Sequence, residues 1–142
     1  MLFRSWWLLE GFATWQELTI FGESRTYCVE VARPDGYDKA GTPDADLAAK
    51  ARMEDLWRAK VKAMIRDGKN VDLGVLSRRG LNELSFDDVM QCWSIVDWLA
   101  KTGKLPTFLV ASKEKKDLDP TCTAALGMSL AGTEQAWLAW AK

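Results

Sequence analysis

The stretch that most constrains this chain is Ser5-Trp6-Trp7-Leu8-Leu9-Glu10-Gly11-Phe12-Ala13-Thr14-Trp15-Gln16-Glu17. Its residues suit a helix over 5–21, stopped near Gly22, and that helix is apolar almost all round. Such a helix belongs inside a protein, so other helices are expected to pack about it. Its exception is a polar line at Glu10, Thr14 and Glu17, spaced four and three residues apart and therefore on one helical face. A carboxylate carried into an apolar interior costs free energy until something compensates it. What Glu10 serves is the question the sequence poses.

Histidine is absent from all 142 residues. That excludes a Ser-His-Asp triad and a Cys-His pair, and it removes the commonest transition-metal ligand. The formal net charge of −1 supplies no long-range field for nucleic acid or an anionic membrane. No apolar run reaches the length of a membrane span, and Glu10 with its bulky aromatic neighbours does not suit a signal peptide. Three cysteines, Cys28, Cys92 and Cys122, lie far apart with no CxxC spacing, so free, packed thiols are expected.

Beyond Gly22 the helical period breaks. Pro34, Gly36, Gly41 and Pro43 punctuate a stretch read as a surface loop beside the face of Glu10. Within it, Tyr27 to Val31 alternates like a short strand of a small hairpin. A second helix is expected over 45–67, with Met53, Leu56, Trp57, Val61, Met64 and Ile65 at spacings of three and four and Gly68 closing it. Its Lys and Arg residues alternate with Glu54, Asp55 and Asp67, which describes a solvated face without an aromatic platform for nucleic acid.

A short helical turn is expected over 71–79. Ser85 then opens the clearest helix, with Asp88 at capping-box spacing, Lys101 in the last turn and Gly103 after it. Phe86, Val89, Trp93, Val96 and Ala100 form its apolar face, and Asp87, Gln91, Ser94 and Lys101 its wet side. Further helices are expected over 107–112 and 119–125. Ser129 caps a last one, whose stripe is Leu130, Trp137, Leu138 and Trp140. The expected fold is mainly α: a single helical domain over 1–142, of five or six helices, with one long loop or small hairpin after the first.

Trp7-Leu8-Leu9-Glu10-Gly11-Phe12-Ala13 resembles the Trp-Leu-x-Glu-Gly-Phe-Ala motif of gluzincin (peptidase-MA-like) zinc metallopeptidases. Met90-Gln91-Cys92-Trp93-Ser94-Ile95-Val96-Asp97-Trp98-Leu99 looks like a later helix of those proteins. Ala124-Ala125-Leu126-Gly127-Met128-Ser129-Leu130, followed by Trp137-Leu138-Ala139-Trp140, looks like their closing segment. The three matches keep the family's order and span nearly the whole chain. The resemblance implies that Glu10 is the third protein ligand to a catalytic zinc, with Thr14 and Glu17 as groups around it.

The departures from that pattern are equally specific. The family's His-Glu-x-x-His helix has no counterpart, and Val89 falls where the aminopeptidase branch places a transition-state Tyr. The resemblance therefore implies the C-terminal part of a zinc peptidase, inactive as this chain alone and binding no zinc by itself, with an N-terminal peptidase half as its partner. Two other readings stay open. One is a non-catalytic helical interaction module of the same descent, acting through its eight tryptophans. The other is an unrelated helical domain in which Glu10 is salt-bridged, for instance to Arg4.

Overall fold

The computed structural model describes residues 5–22, 24 and 53–142. Helices make up 77% of it, and no strand occurs among the described residues, which establishes the mainly α class. The expected hairpin at 27–31, the loop beside Glu10 and the Arg4 partner lie outside the described residues.

Seven α-helices are present among the described residues, one or two more than expected. They are α1 (Trp6–Phe21), α2 (Met53–Arg66), α3 (Leu73–Leu76), α4 (Phe86–Lys101), α5 (Leu105–Glu114), α6 (Leu118–Leu126) and α7 (Leu130–Ala141), with a 3-10 turn at Leu81–Glu83 before α4. The boundary signals act where the sequence puts them. Gly22 takes the left-handed conformation that ends α1. Ser85 accepts from the Asp88 N–H while Asp88 accepts from the Ser85 N–H, a reciprocal capping box that starts α4. Ser129 accepts from the Gly132 N–H and starts α7.

The axis of the fold is α4. Every residue from Asp88 to Leu99 is buried, so the expected wet side survives only at the two ends of the helix, at Asp87 and Lys101. Gln91 and Ser94, expected in solvent, are among the most enclosed polar residues of the chain. Helix α1 runs along α4 more extensively than any other pair, while α2, α5 and α7 cover its remaining faces and α6 bridges α5 and α7. Aromatic side chains fill the joints. Trp57 of α2 meets Trp93 edge-on at 5.7 Å and Phe86 at 5.4 Å, both on α4. Trp7 of α1 meets Phe108 of α5 edge-on at 6.1 Å. Such perpendicular pairs set the positive ring edge against the negative face, worth about 0.5–1.5 kcal/mol beyond burial alone.

The stripe expected on α7 is only partly core. Trp137 is buried, whereas Leu130, Leu138 and Trp140 pack against the core with one side open. On α1 the departure is larger. Trp7, Leu8, Gly11, Thr14 and Leu18 turn inward with Glu10, but Leu9, Ile20 and Phe21 stand 53%, 68% and 73% exposed. Trp6, Phe12 and Trp15 flank the inward side and pack partly against the core, so among the described residues the open part of the helix is the strip of Leu9, Ala13, Gln16 and Ile20 and its end near Phe21.

Close approach of α1 to α4 depends on Gly11. A Cβ at that position would lie 2.6 Å from the Cys92 carbonyl oxygen and 3.0 Å from a Val96 methyl carbon. The obstacle is backbone, which cannot rotate away. Gly132 in α7 faces looser surroundings, its nearest neighbours 3.4 Å from the added carbon. Replacing Gly11 by Ala should therefore lower stability by about 1–3 kcal/mol despite the better helix propensity of Ala. Gly132→Ala should be neutral or stabilising by up to about 1 kcal/mol. Urea unfolding of the two variants measures the contrast directly.

Two carboxylates meet where α3 abuts α7. Asp72 accepts from the Val75 N–H, and Glu134 accepts from the Leu73 N–H at 3.0 Å. Partial burial, followed by the charge and hydrogen bond of Asp72, raises the Glu134 carboxyl above its ordinary range against the lowering effect of the Leu73 N–H. The folded chain thus holds this proton more tightly than the unfolded one. Its stabilising contribution is full below the ordinary Glu value of about 4.3 and is lost as pH rises through the raised folded value. In Glu134→Gln, which keeps an acceptor for Leu73, that part of the pH dependence should vanish. Urea midpoints of both proteins across the acidic range should converge or cross as pH rises; parallel curves would show that Glu134 titrates normally.

Candidate functional site

The polar line of α1 divides on folding. Glu10 is buried with 8% of its surface exposed and Thr14 with 3%, while Glu17 stays partly exposed and accepts a hydrogen bond from the Ser24 hydroxyl. The Ser24 N–H in turn points at the Met53 sulfur at 3.1 Å, so Glu17 helps hold the end of α1 against the start of α2. Glu10 and Thr14 therefore share the packed side of α1, and Glu17 belongs to a joint between helices.

Glu10 sits next to Gly11 at the tight crossing with α4, close enough to act electrostatically on Cys92. Complete burial of Cys92, then the charges of Asp88 and Glu10, push its thiol well above the usual range. A thiol so held is neither a nucleophile nor a ready metal ligand at neutral pH. Cys122 is likewise free and buried, with its thiol raised by burial. Both behave as the packed free thiols expected of them, and Cys28 lies outside the described residues.

Catalytic zinc takes three protein ligands and an open position for water. Among the described residues no three His, Cys, Asp or Glu side chains are grouped to hold a metal ion. Glu10 alone does not fit a catalytic zinc, and the sequence holds no histidine to stand beside it.

A second polar centre, without a signal in the sequence, surrounds Asp97 on α4. Its Oδ1 accepts from the Trp15 indole N–H at 3.2 Å, and the Arg58 guanidinium lies 3.1 Å from Oδ2, off the line of a hydrogen bond. Lys101 approaches Asp97 at 3.8 Å and Glu54 at 3.5 Å, and Arg58 also grips Glu54 at 2.5 Å. Two acids and two bases thus close a network joining α1, α2 and α4. The Arg58 guanidinium stands 5.6 Å from the Trp93 ring centre and 5.8 Å from that of Trp140. The aromatic platform that α2 lacks in its own sequence is supplied by α4 and α7. Only contact between distant segments reveals it.

No protein-family model, no curated protein and no solved structure matches this chain.

The Asp97 side chain is 4% exposed and that of Arg58 is 38%. Breaking a fully buried pair costs about 3–5 kcal/mol, and water reaching Arg58 reduces this. Arg58→Met should destabilise by about 2 kcal/mol, and adding Asp97→Asn should recover part of the loss by removing the stranded charge. A double-mutant cycle in urea measures this coupling; strict additivity would show that the pair is energetically inert.

Proposed function

We propose that this chain is the helical part of a gluzincin-like zinc peptidase that carries the third metal ligand, Glu10, and that it hydrolyses no peptide on its own. The observation that carries the reading is the placement of Glu10. An acid sits on the packed side of an aromatic helix, fixed in depth by the glycine that follows it and by the α4 backbone against that glycine. A metal ligand needs this kind of rigid seating, since a loosely held carboxylate loses affinity and geometry together. Thr14, one turn further along the same buried side, is the neighbour best placed to steady it, whereas Glu17 is engaged with Ser24.

The remaining ligands have to come from residues outside this sequence. The exposed strip of α1 that carries Leu9 and Ile20 supports that reading, because exposed apolar side chains of this sort are suited to being covered by protein. The same face supports the second reading, a non-catalytic interaction module of the same descent. When bound, zinc would polarise the scissile carbonyl and activate water. This chain's own part is confined to offering the Glu10 carboxylate.

Zinc binding by a joined protein, rather than by this chain alone, separates the readings. The purified chain should take up zinc well below stoichiometry and cleave no peptide. Joined to a His-Glu-x-x-His segment encoded just upstream of Met1, it should bind one zinc, and Glu10→Gln should weaken that binding at least about 100-fold. An in-frame stop directly before Met1, or zinc affinity indifferent to Glu10→Gln in the joined protein, would leave the interaction module as the surviving reading.

A further inference from the structure

A cleft of about 320 Å³ opens between α2, α4 and α7, away from Glu10, lined by Arg58, Val61, Lys62, Ser94, Trp140 and the end of α7. Its size lies at the lower end of the range for small-molecule pockets, about 300–1,000 Å³. No acidic side chain lines it. The nearest acids, Glu54 and Asp97, are neutralised by Arg58 and Lys101. Lys62 forms no ion pair among the described residues, so it gives the cleft an ammonium that no acid neutralises.

Its inner wall holds a built donor. Ser94 is 3% exposed, and its Oγ accepts from the buried Trp137 indole N–H at 3.2 Å. The Ser94 O–H itself donates to no group among the described residues. A hydroxyl that already accepts from an indole keeps its own proton to give, and Ser94 is one of the residues that line the cleft. Beside it stand apolar walls, the Val61 side chain and the Trp140 ring, the latter held by the Arg58 guanidinium over it.

We propose that this cleft binds a small monocarboxylate with an apolar, ring-sized body. The carboxylate takes the Ser94 hydroxyl proton and the Lys62 ammonium, and the body lies against Trp140 and Val61. One hydroxyl and one mobile ammonium satisfy a single carboxylate. A phosphate dianion presents more acceptors than these donors can meet, and the apolar walls offer it nothing.

Phenylacetate is a suitable probe, added to the full chain at constant ionic strength while the indole N–H resonances are followed by NMR. The expected result is saturable movement of the Trp137 and Trp140 signals with a dissociation constant on the order of 1 mM. Lys62→Gln should weaken binding about ten-fold, the worth of one charge-assisted hydrogen bond, and Ser94→Ala should weaken it as well. Lys62 is exposed, so its variant keeps the fold and decides the matter even if Ser94→Ala unfolds. The proposal is overturned by unsaturable shifts, by Lys62→Gln binding as the parent does, by phenylacetamide binding equally well, or by sulfate binding equally well. The last two would reduce the cleft to an apolar slot or a plain cationic patch.

Discussion

The structure depends on a helix that is buried on every side between its ends and still carries four polar residues there. On α4 these are Asp88, Gln91, Ser94 and Asp97, spaced by three. At 3.6 residues per turn each step of three falls short of a full turn by about 60°, so the four groups fan around the helix and Asp88 and Asp97 end on opposite sides. Each faces a different neighbour and each is matched. Asp88 pairs with Arg79 in the segment before α4. Gln91 accepts from the Val71 N–H at 2.9 Å and donates to the Val71 carbonyl at 2.6 Å, standing in for a strand's backbone. Ser94 receives Trp137 of α7, and Asp97 receives Trp15 of α1 and the bases Arg58 and Lys101. Apolar packing would hold these helices together. The polar contacts fix which helix sits at which angle around α4, because a wrong neighbour would strand a buried donor or acceptor.

That arrangement explains which parts of the fold are legible in the sequence. Caps and stops are local, so Ser85 with Asp88, Ser129, Gly22 and Gly127 mark helix ends from sequence alone. Burial is not local. Gln91 and Ser94 are polar, and helical periodicity assigns them to water, yet their partners lie at Val71 and Trp137, far along the chain. Helix α1 shows the opposite failure. Its composition asks for burial all round, and the fold leaves one strip of it open. The surplus apolar residues are a property of surface, which periodicity cannot distinguish from core.

The site is legible to the same degree. The Glu10-Gly11 pair stands out in the sequence, and the fold gives each residue a physical role, since Glu10 is buried and Gly11 admits the α4 backbone. Helical spacing places Thr14 and Glu17 on one face but cannot show Glu17 reaching Ser24. The network of Arg58, Asp97 and Lys101 has no sequence signal at all. Arg58 reads as an ordinary charge of a solvated helix and Lys101 as part of a wet side until tertiary contact sets both beside Asp97, with Arg58 over the Trp93 and Trp140 rings.

The Gly11 crossing also governs how α1 can transmit a push. Most helix pairs meet through side chains, which yield by changing rotamer and absorb small displacements. Here helix backbone rests almost on helix backbone, with no compressible layer between. Movement of α1 toward α4 therefore cannot be absorbed at that point, and Glu10, one residue from the contact, is held at a fixed depth. Further along, Trp15 on Asp97 and Glu17 on Ser24 tie down the rest of the helix, so its angle to α4 is set at three places rather than one.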